Sequence, residues 1–218
     1  MKLKNLARKK KHYLDLKSEI LKIAIESVAC GIDSELSFRK IAKQLGVQHN
    51  SVVHHFKSKE NLLFAIATEG FINFSQILKE AVLKPKSRKA QLVAMGTAYL
   101  NFALKNPGYF RAMFGPHLSQ LKSSDPELLT ASNLAYAALN QACRHVVTEA
   151  LPKASDLKIN KLTQNMVLQN WSLVHGMAML FIDGPVGYHF QHSHRIYKNI
   201  CANILKNSVK ELYSSLAC

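Results

Sequence analysis

The residues after Gly46 that could do chemistry are recognition groups rather than catalysts: Gln48, His49, Asn50, Ser51, His54 and His55, followed by Lys57, Ser58 and Lys59. Amide, imidazole and hydroxyl groups can read the donor and acceptor pattern of base edges, and an ammonium nearby can hold a phosphate oxygen. Val52 and Phe56 stand four apart on an inward face, which leaves His49, Asn50, Val53 and His54 outward. That outward face lacks the Glu/Lys pairing of an ordinary solvated helix.

The flanking residues are those needed to position such a helix. Ser37 is suited to N-cap a short helix whose Phe38, Ile41, Ala42 and Leu45 line one face. Gly46 follows the last periodic residue, where a chain leaves a helix through the left-handed conformation. Ser58 then caps a third helix with Lys59 at its first position. A cation beside the positive end of a helix is unfavourable unless an anion sits there as well, so Ser58 and Lys59 read as a phosphate clamp. A plain helical hairpin with a solvated Lys59 is the bland alternative.

Residues 15–66 resemble the TetR family of transcriptional regulators. The family motif runs Thr-x-x-x-Ile-Ala-x-x-x-Gly-Val-x-x-x-x-Leu-Tyr-x-His-Phe-x-x-Lys-x-x-Leu, and Ser37, Ile41, Ala42, Gly46, Val47, Val52, His55, Phe56, Lys59 and Leu62 stand at its positions without a gap. The resemblance implies an all-α homodimer with an N-terminal three-helix DNA-binding domain and a C-terminal domain for effector binding and dimerisation. Its contacts with duplex DNA would fall on Ser37, Arg39, Gln48, His49, Asn50, Ser51, Val53, His54, His55, Lys57 and Lys59. One departure is Val53, where the family usually has tyrosine; it offers a thymine methyl an apolar contact in place of a phenol, and His54 or His55 takes over the phosphate.

The net charge is +15, and residues 1–89 hold 18 Lys and Arg against 8 Asp and Glu. A basic front half suits a polyanionic partner. Lys2, Lys4, Arg8, Lys9, Lys10, Lys11 and Lys17 form a basic arm that either follows DNA or serves as a solubilising tail. Cys30, Cys143, Cys201 and Cys218 are scattered without a CxxC pair, which argues for a reducing compartment, the cytoplasm, and against a zinc site. The longest apolar run, residues 171–182, contains His175 and is too short to span a bilayer.

Helical periodicity continues to the end of the chain, with no β pattern and no repeat. The expected order is the arm over 1–14, the helix-turn-helix domain over 15–66, a connecting helix over 67–84 and an effector and dimerisation domain over 85–218, about nine helices in all. The first helix carries Leu16, Ile20, Ile23, Ala24 and Val28 inward and ends near Gly31. Residues 159–182 are apolar on most sides, and residues 194–215 carry a stripe from Ile196 to Tyr213. One domain of this size has difficulty covering both surfaces, so these last two helices are the expected homodimer interface.

Trp171-x-x-x-His175-Gly176, together with upstream aromatic segments, resembles the C-terminal domain of those TetR regulators marked by a Trp-His-Gly signature. Tyr99, Phe102, Tyr109, Phe110, Met113, Phe114, Trp171, His175 and Met179 are the candidate lining for a small hydrophobic effector; the same side chains are what a core is made of. No metal or other cofactor is expected. His189, His192 and His194 invite a metal reading but have no carboxylate or cysteine beside them, and a solvated, pH-sensitive loop or an N-terminal cap of the last helix is the plainer account. Paired carboxylates, a nucleophile in a recognisable setting and a phosphate-cradling glycine loop are all missing, which argues against an enzyme. The composite reading is a repressor released from a palindromic operator by a small effector; an effector-independent architectural DNA-binding dimer is the alternative.

Overall fold

A computed structural model describes residues 2–31, 36–115, 118, 125–184 and 194–216. Among them the chain forms nine helices: α1 (Lys2–Ala29), α2 (Phe38–Leu45), α3 (His49–His55), α4 (Lys59–Ala81), α5 (Arg88–Lys105), α6 (Pro107–Phe114), α7 (Pro126–Ala150), α8 (Asp156–Ile182) and α9 (His194–Leu216). The all-α expectation holds. No helix among the described residues is long and apolar enough to cross a membrane.

Two compact units result, one of Met1–Gly70 with Asn106–Leu129 and the other of Phe71–Lys105 with Thr130–Cys218. In the first, Ile20, Ala24 and Val28 of α1 are buried together with Ile41, Ala42, Val52, Phe56, Leu62 and Ile66. The basic segment is helical and continuous with α1 rather than preceding it. Lys and Arg are good helix formers, so a helix started by the apolar stripe at Leu16 extends backward through them at little cost.

Helix α6 packs against α1 in this unit. Asn106-Pro107-Gly108 does interrupt the preceding helix, and Pro107 occupies the first position of α6, where its missing N–H costs nothing. Gly108 has a second role, because a Cβ there would lie 2.2 Å from the Ile25 carbonyl oxygen. Arg111 donates to the Ala29 carbonyl at the end of α1. From the opposite side of α6, the Tyr109 hydroxyl donates to Glu69 at 2.5 Å.

The core of the second unit gathers Leu92 of α5, Cys143, Val146 and Val147 of α7, Ile159, Met166 and Val167 of α8, and Val209 of α9. Helix α8 begins at Asp156, a turn earlier than its apolar pattern suggests, because Ser155 caps it by accepting from the Lys158 amide. It is buried on one side only: Val167, Val174 and Ala178 lie inside, whereas Leu168 is 65% and Leu180 49% exposed.

Candidate DNA interface and effector site

The joint between α2 and α3 is made by backbone conformation. Gly46 adopts φ 64°, its amide donates to Lys43, and the Val47 amide reaches back to the Ala42 carbonyl at 3.0 Å. This paired closure satisfies the last carbonyls of α2 and turns the chain within two residues. The Ser37 hydroxyl accepts from the Lys40 amide at the other end of α2. Helix α3 is held from beneath by Val52, which is fully buried, and by Phe56, over whose ring the Lys17 ammonium sits 5.8 Å from the centroid.

Gln48, His49, Asn50 and His54 are therefore presented to solvent on one short helix, with Ser51, Val53 and His55 half-buried beside them. The His49 ring leans toward Phe38 at 6.4 Å. Lys57 and Lys59 are exposed, as is Arg39, and Ser37 is half-buried. At the start of α4, Ser58 accepts from the Asn61 amide at 3.2 Å and donates to the Asn61 side chain at 3.1 Å. That cap fixes the first turn beside the Lys59 ammonium, an arrangement able to hold an anion. Burial lowers the His55 pKa, and the neighbouring His54 and Lys17 charges lower it further.

The nine candidate effector residues are shared between the two units. Tyr109, Phe110, Met113 and Phe114 belong to the first unit, where Phe110 and Met113 are fully buried and the Phe110 ring lies tilted against Phe114 at 4.9 Å. Tyr99, Phe102, Trp171, His175 and Met179 belong to the second. There, the Tyr99 hydroxyl and His175 Nδ1 share a hydrogen bond of 2.8 Å, and Tyr99 is also hydrogen-bonded by Trp171. Burial raises the Tyr99 pKa, so its hydroxyl stays protonated. Phe74, whose ring lies 5.0 Å from both Tyr99 and Phe102, and Tyr136, 6.4 Å from Trp171, complete the cluster. Neither stood out in the sequence; Phe74 falls within the apolar stripe of the connecting helix and Tyr136 within a long amphipathic one. Met179 is exposed.

Burial lowers the His175 pKa, which favours the neutral imidazole in the folded chain. Below the ordinary histidine range near 6.5, the unfolded chain takes up protons that the folded chain resists, so acidification should destabilise the fold. Thermal melting at pH 7.5 and pH 5.5 checks this. The drop in midpoint should shrink in His175→Gln, which keeps an acceptor for Tyr99; an equal drop in both proteins would rule His175 out as a source.

Among the described residues no group of three or more His, Cys, Asp or Glu could hold a metal ion. Residues 189–193 of the histidine segment lie outside the described residues, and His194 begins α9.

Comparison with known proteins adds to this geometry. Residues 33–66 match the family model described as bacterial regulatory proteins of the tetR family, and residues 92–203 match the tetracyclin repressor-like C-terminal domain. Among solved structures, a protein of unknown function from Rhodococcus sp. RHA1 is similar at 20% identity and a TM-score of 0.71, over 93% of this chain and 96% of that one. A tetR-family regulatory protein from Rhodococcus RHA1 is similar at 18% identity and a TM-score of 0.61, over 90% and 96% of the two chains. The TetR-family regulator PfmR from Thermus thermophilus follows at 19% identity and 0.57, over 91% and 97%. These likenesses extend the shared fold over nearly the whole chain. A comparison with curated proteins found no match.

Proposed function

This chain belongs to the tetR family of bacterial regulatory proteins, and from that premise we propose that it represses transcription in the cytoplasm from a palindromic operator and is released by a small hydrophobic effector. The observation that carries the reading is α3, with Gln48, His49, Asn50 and His54 exposed along one helix and Val52 and Phe56 anchored below. In the proposed homodimer two such helices enter successive major grooves, about 34–36 Å apart. Phosphate contacts from Lys57, Lys59, Arg39 and Ser37 set the register, while His49, Asn50 and Val53 read bases.

The dimer is proposed to form through α8 and α9, whose Leu168, Met179, Leu180 and Ile204 are exposed in the single chain. The effector is proposed to meet the Trp171, Tyr99 and His175 chain, where apolar rings surround a few hydrogen-bonding atoms. Its effect on DNA is limited to its differential affinity for the two states, typically ~1–3 kcal/mol.

Titration of operator and scrambled duplexes over a range of salt tests the docking. Asn50→Ala and His49→Ala should each lose about 1–3 kcal/mol of discrimination between operator and scrambled DNA. Lys59→Ala should instead weaken both duplexes alike and reduce the salt slope by about one. Unchanged binding in all three variants would exclude this docking.

A further inference from the structure

The seam between α5 and α9, outside the aromatic cluster, holds two clefts in line. Gly96, buried on α5 and outside the lining of either cleft, lets Leu205 pack close, since a Cβ there would lie 2.9 Å from the Leu205 side chain. Towards one end, Ala90, Val93, Ala94 and Val209 floor a cleft of about 400 Å³ rimmed by Lys89, Lys206 and Lys210. Towards the other, a smaller cleft of about 140 Å³ is lined by Leu100, Leu104, Cys201 and Leu205, with Thr97 and Asn101.

The α5 residues 90, 93, 94, 97, 101 and 104 recur at helical spacing, so both clefts open on one face of α5. Along α5 these residues span about 21 Å at 1.5 Å per residue. Three lysines and no carboxylate line the wide end, and apolar side chains dominate the narrow one. On α9, Lys206 and Ile204 flank the buried Cys201, Leu205 and Val209 on opposite sides, so a partner covering Ile204 leaves the lysines open.

We propose that this seam binds a single-chain amphiphile with a carboxylate head, a long-chain fatty acid, its head among Lys89, Lys206 and Lys210 and its tail running towards Leu104. Charge complementarity selects the head group: the ammonium groups favour an anion, while the apolar floor disfavours a small hydrophilic one. A single narrow seam selects one chain over the paired chains of a phospholipid. The assignment stands apart from the effector cluster proposed above, and its test reads binding without DNA.

The probe is cis-parinarate, a long-chain carboxylate whose polyene tail fluoresces when buried, added to the full-length protein below its micellar concentration. Saturable binding by the wild type is expected. The exposed charge reversals Lys206→Glu and Lys210→Glu, combined, should weaken it at least tenfold at low salt, with far-UV circular dichroism and thermal melting unchanged. Ala94→Trp, which fills the floor of the wide cleft, should abolish it, and an uncharged alcohol of equal chain length should compete poorly. The proposal is overturned if the wild type shows no saturable binding, if the variants bind parinarate as the wild type does, or if the alcohol competes as well as a fatty acid. It is overturned too if phospholipid vesicles are bound and free fatty acid is not.

Discussion

Gly108→Ala is expected to lower the melting temperature by roughly 5–10 °C, the shift that an overpacking cost of about 2–3 kcal/mol gives a chain of this size. The new methyl would stand 2.2 Å from the Ile25 carbonyl oxygen and 3.1 Å from its carbon. Those atoms are backbone one turn before the end of α1, and they cannot swing aside as a side-chain end can. Either α6 lifts from α1, or α1 bends, and the Arg111 contact to Ala29 is lost with the first. Gly70→Ala provides the contrast. Its methyl would meet the Met113 sulfur at 2.7 Å and Tyr109 Cδ1 at 3.1 Å, both side-chain atoms, and a thioether adapts by rotation. Gly70→Ala should therefore cost clearly less than Gly108→Ala. Equal melting temperatures for Gly108→Ala and the wild type would mean that α6 does not dock on α1 at this distance. Amide hydrogen exchange would locate the loss, with protection falling first in α6 and the facing turns of α1.

The same contact shows where sequence reading stops. Gly46 was legible because its task is local: it closes the helix it follows, and the neighbours of that task lie within four residues. Ser37 and Ser58 were legible for the same reason. Gly108 sits beside a proline and reads as part of a break, yet the atom that demands glycine belongs to Ile25, far away in the chain. Periodicity tells which face of a helix is apolar but not which helix it meets. So composition groups Tyr109, Phe110, Met113 and Phe114 with Tyr99 and Trp171, and only the structure assigns the first four to the first unit. The pairing of Trp171 and His175 one turn apart was legible, and Tyr99 was a fitting neighbour. Phe74 and Tyr136 were not, since an aromatic ring inside an apolar stripe carries no mark of the partner it will face. The polar face of α3 stood out because Gln48, His49, Asn50 and His54 are exposed without the charges that usually solvate a helix. A shared interface leaves a weaker trace, an excess of apolar surface over what one chain can bury.

Leu168→Asp combined with Leu180→Asp should convert the proposed dimer to a monomer and weaken operator binding by roughly 10²–10⁴-fold, the loss expected when two linked half-site contacts become one. Leu168, Ser172, Gly176 and Leu180 recur every four residues along α8, and Ser172 and Gly176 are exposed like the leucines between which they stand. Because the leucines are 65% and 49% exposed, carboxylates there cost the single chain little, and circular dichroism should confirm a folded monomer. Gly176 makes the sharper test. Nothing lies within 4 Å of where its Cβ would be, so inside one chain Gly176→Ala should raise helix stability by about 0.5–1 kcal/mol. If a partner helix approaches at this point, the methyl meets it, and the same substitution should weaken association instead. Sedimentation equilibrium over a range of protein concentrations reads the association, and thermal melting of the Leu168→Asp, Leu180→Asp background reads the intrinsic helix effect. The proposed interface requires opposite signs in the two measurements; a stabilising effect in both would move the dimer contact away from Gly176.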